Sequence, residues 1–161
     1  NIETVWKAIS NKDEMKKWVD SVQYGNKNLG NAIDQFWLDN SLRISADEQV
    51  GLMKKLYFDK LPFSARSQRI VRSLMLQEDS SNYKLYFKTG TNRFSDTTLA
   101  WIVGFIERKE TQKGVLTKKE ETNYKPYFFA MNFQTTDTTM DYRANRIAIL
   151  KDILRERDII R

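Results

Sequence analysis

The apolar residues of this chain change their period near Ser80, and that change restricts the folds open to it. Upstream the spacing is helical. From Lys12 to Val22, the residues Met15, Trp18, Val19 and Val22 recur three and four positions apart, the stripe of an amphipathic helix. Ser45 followed by Glu48 is a capping box, opening a second helix whose apolar face carries Val50, Met53 and Leu56. That helix must stop before Leu61-Pro62, because proline disfavours helical backbone in the residue ahead of it. Ser67 to Leu76 predicts a third, with Ile70, Val71, Leu74 and Met75 on one side. Between the first two helices, Tyr24-Gly25-Asn26 with Asn28 and Gly30 reads as a turn-rich loop, and Ile33, Phe36 and Trp37 as a short apolar element.

Downstream the strand formers take over, in the runs Tyr83 to Lys88, Ala100 to Ile106 and Tyr127 to Phe133. The polar stretch from Glu107 to Lys125 reads as a long hairpin connection between the last two. Ile147, Leu150 and Leu154 return to helical spacing within Arg143 to Ile160. The expectation is an α+β fold, an antiparallel sheet with packed helices. Residues 1–79 form its mainly helical part, and residues 80–161 its sheet and C-terminal helix.

Composition narrows the chemistry. At 161 residues there is material for one domain with a sizeable core. There is no Cys and no His, so disulfides, thiolate metal sites and the commonest neutral-pH general base are excluded, and no metal site is expected. An enzyme built from this chain must use Lys, Tyr or carboxylate chemistry. The net charge is +6, but the basic residues are scattered in short clusters such as Lys16-Lys17, Lys54-Lys55 and Lys118-Lys119, each near acidic ones. That favours a solvated mixed-charge surface over a nucleic-acid interface. No apolar run approaches the roughly 20 residues of a membrane span. Asn1 to Lys7 lack the features of a signal peptide, and a start on Asn suggests a processed or truncated product.

One tripeptide has the residue types of an anion site. In Lys88-Thr89-Gly90, at the end of a predicted strand, the lysine places a cation beside a bound anion. The threonine hydroxyl can donate to a carboxylate, and the glycine lets a ligand approach the backbone. Taken alone, the tripeptide reads more plainly as a strand entering a turn. By the same measure Trp37 is a core residue, Arg143 a surface cation and Tyr24-Gly25-Asn26 an ordinary turn.

Their order along the chain is more specific. Tyr24-Gly25-Asn26 precedes Ala32 to Leu38 with its Phe36-Trp37-Leu38, then Leu42 to Ser45, then Lys88-Thr89-Gly90. Ala100 to Glu107, Phe128 to Asn132 and Arg143 follow. This ordered set resembles the class D serine β-lactamases, the oxacillinases, along nearly the whole chain. Penicillin-binding proteins and β-lactam sensor domains are their relatives in fold. The resemblance implies the β-lactamase/transpeptidase-like fold, a β-lactam as ligand and a periplasmic or extracytoplasmic location. It implies catalytic roles for Lys88, as an electrostatic organiser, and for Thr91, whose N–H would be an oxyanion donor. Thr89, Gly90 and Arg143 would bind substrate, Arg143 holding the substrate's carboxylate. Tyr24, Gly25 and Asn26 would shape the floor of the site. Trp37 would steady the family's carboxylated lysine, with Leu38 shielding it.

One part of the family pattern is absent. The nucleophile's Ser-x-x-Lys and a second motif, Ser-x-Val, lie upstream of Tyr-Gly-Asn in the family, and neither occurs in the residues before Tyr24. Ser81 and Lys84 have the right separation, but a strand would turn them to opposite faces. The chain alone is therefore expected to be inactive, with serine and carboxylated lysine in a missing segment and no cofactor of its own. That segment, or self-association, would cover apolar surface left open. A β-lactam-sensing module and an inactive truncated remnant are the alternatives.

Overall fold

The computed structural model describes residues 11–31, 36–113 and 120–160, and within 111–113 and 120–122 the backbone alone. Asn1 to Lys7, Ala32 to Gln35 with Ile33, and Lys118-Lys119 lie outside the described residues. The fold is α+β, as the change of period requires.

Helix α1 is Lys12–Ser21, started by Asn11, whose side chain accepts from the Glu14 N–H at 2.8 Å. Helix α2 is Ala46–Tyr57, and both halves of its capping box form. Helix α3 is Ala65–Met75, capped by Ser64. It runs into the sheet, whose strands are β1 Leu76–Asp79, β2 Tyr83–Phe94, β3 Thr97–Lys113 and β4 Glu120–Thr135. They form an antiparallel meander in the order β1-β2-β3-β4. Helix α4, Tyr142–Glu156, closes the chain with Asp141 as its cap.

Two expectations need correction. The stretch from Glu107 to Lys125 is mostly ladder rather than connection, with pairing continuing from Glu107↔Pro126 to Lys113↔Glu120. Apolar residues at the centre of the hairpin fix its register, and backbone hydrogen bonds then extend it through a polar sequence. Pro126 is tolerated because β4 is an edge strand. Secondly, of the apolar face predicted for α3 only Met75 is buried. Ile70, Val71 and Leu74 are exposed, Leu74 at 76%, while Gln68 and Met75 are buried. Gln68 answers burial with three hydrogen bonds, accepting from Leu61 N–H and donating to Leu61 O and Phe63 O. A helical stripe records a preference for apolar surroundings, and whether this chain provides them is a tertiary matter. The sheet also begins at Leu76, through the short β1.

Period-2 alternation gives the sheet two apolar faces. Leu85, Phe87, Ile102 and Ile106 pack on Leu150 and Leu154 of α4 and on Ile160. Tyr86, Val103, Phe105 and Phe128 face Met53 and Leu56 of α2 and Met75 of α3. The connection from α1 to α2 has its own small core of Val19, Leu29 and Phe36. It lies apart from both sheet clusters.

Candidate active site

The outer edge of β2 changes character along its length. β1 pairs with it only from Lys84 to Tyr86, so from Phe87 to Phe94 no strand among the described residues covers that edge. Lys88, Thr89, Gly90 and Thr91 all lie on this open stretch. Beside it is a cavity of about 460 Å³ bordered by those four residues, by Trp101 on β3, and by Tyr24, Trp37 and Leu38 from the connection between α1 and α2. Among the described residues its charged lining consists of Lys88 and Arg43, both cations. A cavity of that sign favours an anion.

Each wall has a local cause. Lys88 is exposed, and its ammonium donates to the Thr89 carbonyl at 2.6 Å. Gly90 has open space where a Cβ would stand, the nearest atom being Trp101 Cβ at 3.9 Å. Nothing in the chain itself therefore demands glycine there, and the room belongs to the cavity. Asn92 donates to the Leu38 carbonyl at 2.9 Å, tying the strand to the Trp37-Leu38 segment. Trp37 is itself half exposed and meets the buried Phe36 edge-on, with ring centroids 4.6 Å apart.

Tyr24, Gly25 and Asn26 divide the work. Tyr24 is the member that lines the cavity, its phenol accepting from Gln49 Nε2 at 2.8 Å, and burial raises its pKa. Gly25 and Asn26 stand behind the wall. Gly25 has φ +48°, and a Cβ would fall 1.9 Å from the Arg43 carbonyl oxygen, so any other residue is excluded. Asn26 accepts from Arg43 N–H at 3.0 Å and donates to Ser41 O at 2.7 Å, clamping the segment that leads into α2. The Ser81/Lys84 pair forms no site. Ser81 is in the β1–β2 turn and Lys84 is ion-paired with Asp79 at 3.3 Å.

Comparison with known proteins shows the family. The family model for the penicillin binding protein transpeptidase domain matches residues 7–154. The chain belongs to that family. Within it, the likeness is to class D β-lactamases. It is 36% identical over 146 residues to Beta-lactamase OXA-48 of Klebsiella pneumoniae, covering 91% of this chain and 49% of that protein. To the Probable beta-lactamase YbxI of Bacillus subtilis it is 40% identical over 110 residues, 68% of this chain and 41% of the relative. The crystal structure of a class D β-lactamase from Sebaldella termitidis superposes with a TM-score of 0.80 at 28% identity, covering 96% of this chain and 57% of that one. The chain thus spans about half the length of the curated relatives it matches.

Helix α4 is bonded to this stretch of β2 through a residue the sequence reading did not single out. Arg143, which it did, is exposed on the first turn of α4 and does not border the cavity. One turn on, Arg146 is buried, and its Nη1 donates to Gly90 O at 2.6 Å, Thr91 Oγ1 at 3.1 Å and Trp101 O at 3.1 Å. Burial first, then the nearby Arg143 charge, lowers its pKa. The signal was present in the sequence: Arg146, Leu150 and Leu154 form one stripe at four-residue spacing, and a cation at its head is out of place.

These bonds also orient the strand. Gly90 and Trp101 are directly opposed. Carbonyls of opposed residues can both reach one nitrogen only if they point between the strands rather than away from each other. Alternation then turns the Thr91 N–H outward, to the uncovered edge.

Proposed function

We propose that this chain is the substrate-recognising portion of a serine acyl-enzyme that hydrolyses β-lactams, its nucleophile and general base supplied from outside these 161 residues. The observation that carries the reading is the convergence of Lys88, Thr89, Gly90 and Thr91 with Trp37, Leu38 and Tyr24 on one cavity whose charged lining, among the described residues, is cationic. The names of its relatives, β-lactamases throughout, favour hydrolysis over sensing.

In the reaction a serine oxygen attacks the lactam carbonyl, the ring C–N bond breaks and its nitrogen takes a proton. Water then attacks the resulting ester, releasing the opened drug and restoring the serine. Lys88 and the outward Thr91 N–H would stabilise the oxyanion of each tetrahedral stage. Thr89 and Gly90 would receive the drug's carboxylate; Arg143, exposed and away from the cavity, is not placed to share in that. Trp37 and Leu38 would stand beside the base.

Two partners follow. One is a β-lactam. The other is the piece that brings the serine, which would also cover a second, almost wholly apolar cavity of about 620 Å³ between the helices, lined by Trp18, Phe36, Leu56, Phe63 and Val71 among others. No described helix is long and apolar enough to cross a membrane. An extracytoplasmic location, where such drugs meet their targets, completes the proposal.

Intact-mass spectrometry of the purified material, before and after mixing with benzylpenicillin, tests it. A second, smaller chain that gains one drug mass and then loses it supports the reading. A lasting adduct points to a sensor. If this chain is the only species and its mass never changes, the material is a remnant without the chemistry.

A further inference from the structure

Asn92 joins two parts of the fold whose apolar cores are separate. The segment Trp37-Leu38 belongs to the connection from α1 to α2, and the small core of Val19, Leu29 and Phe36 there shares no residue with the clusters on the sheet. Trp37 and Leu38 are 42% and 43% exposed, so burial holds neither of them firmly. Both border the cavity, as Asn92 does from β2. The bond from Asn92 Nδ2 to the Leu38 carbonyl, at 2.9 Å, therefore crosses from one wall of the cavity to another, between residues 54 positions apart.

The strand explains why the residue is an asparagine. Alternation puts Asn92 on the face of β2 that carries Lys88 and Gly90. On an antiparallel strand, N–H groups two residues apart point the same way, so the Arg93 N–H faces the uncovered edge as the Thr91 N–H does. Asn92 Oδ1 accepts from that Arg93 N–H at 2.8 Å. The amide oxygen is thereby committed to the strand's own backbone, and the amide nitrogen is left to meet Leu38. A serine could accept from the N–H but is too short to reach the loop. An aspartate could do the same and would then set a second acceptor against the Leu38 carbonyl. A planar amide of this length supplies the acceptor and the donor together.

We propose that Asn92 is a positioning residue of this site: its amide latches the Trp37-Leu38 segment to β2 and so sets the width of the cavity between them. The effect on ligand binding rests on reading that cavity as a β-lactam site. The latch itself does not.

The test uses the isotopically labelled chain with two substitutions. Asn92→Leu keeps bulk and loses both bonds. Asn92→Ser keeps an acceptor for the Arg93 N–H and loses the reach to Leu38. Amide hydrogen exchange is read at Trp37, Leu38 and Asp39, with Leu29 reporting on the core of the connection and Leu85 and Ile106 on the sheet. Benzylpenicillin is then titrated, following the Trp37 indole N–H signal. Both variants are expected to speed exchange at residues 37–39 about fivefold, the worth of one neutral hydrogen bond, and to weaken binding by about the same factor. Leu29, Leu85 and Ile106 should exchange as in the parent. Unchanged exchange at residues 37–39 in both variants would overturn the proposal. So would loosening in Asn92→Leu alone, which would assign the effect to the Arg93 N–H, or a rise shared by Leu85 and Ile106, which would mark general destabilisation. Variants that loosen the segment yet bind penicillin as the parent does would overturn its role in the site. Failure of the underlying reading has another signature: the parent binds no benzylpenicillin, while exchange still decides the latch.

Discussion

The phenol of Tyr24 accepts a 2.8 Å hydrogen bond from the side-chain amide of Gln49, joining the turn after α1 to the first turns of α2. Gln49 is buried, so its amide depends on that phenol. Tyr24→Phe should therefore cost about 1–3 kcal/mol, the penalty of leaving a buried donor unpaired. The urea midpoint should fall with its slope unchanged. Adding Gln49→Leu should recover part of the loss, because then neither partner is left unpaired. A double variant as unstable as the sum of the two singles would refute this account.

A second group sets the response to alkali. The phenols of Tyr57 and Tyr86 donate to the two carboxylate oxygens of Glu107, at 2.9 and 3.1 Å. Burial first, then Glu107, pushes Tyr57 up to about 12 from its ordinary 10, and Tyr86 shifts in the same direction. The folded state thus keeps protons that the unfolded chain releases. Stability from these groups is complete below about pH 10 and falls as pH rises towards about 12. Denaturation midpoints between pH 9 and 11.5 should decline, and Tyr57→Phe should decline less steeply. A parent midpoint that stays level across this window would rule the linkage out.

Two glycines on the same strand pair should respond in opposite ways. A Cβ on Gly104 would lie 2.0 Å from the Tyr86 carbonyl oxygen and 2.8 Å from Phe87 Cα, both backbone atoms that cannot step aside. Gly104→Ala should cost about 3 kcal/mol or more by forcing β2 and β3 apart. Gly90→Ala meets only Trp101 Cβ at 3.9 Å and should leave stability within about 0.5 kcal/mol. Its effect should fall on ligand binding, through the space it fills in the cavity. Thermal melts and a penicillin titration of the two variants separate these outcomes.

The uncovered apolar face predicts association. Trp18, Phe63, Ile70, Val71 and Leu74 are all exposed around one end of the helical layer, with the Trp18 and Phe63 rings 5.2 Å apart. A face of that kind seeks a cover. Sedimentation velocity of the chain alone should detect species above the monomer, reduced by Leu74→Glu. A clean monomer at high concentration would contradict the expectation.

The sequence by itself determined the local elements and the family. Capping residues are short-range devices, so Ser45 and Glu48 set the start of α2 wherever the helix packs. Strand-forming runs located β2, β3 and β4, and the ordered motifs from Tyr24 to Arg143 pointed to the family whose domain model matches residues 7–154. Tertiary structure decided three things. The β3–β4 ladder extends through Glu107 to Lys125 because register, once set, propagates through backbone bonds that side-chain polarity does not report. The stripe of α3 lies open because a period specifies a preference and not a partner. Arg146 meets Gly90 and Thr91, while Arg143 stays exposed, because which side of α4 meets the sheet depends on residues 56 positions away. Spacing within the helix put Arg146 on the buried stripe, but which strand residues it meets is fixed only when the strand and the helix come together.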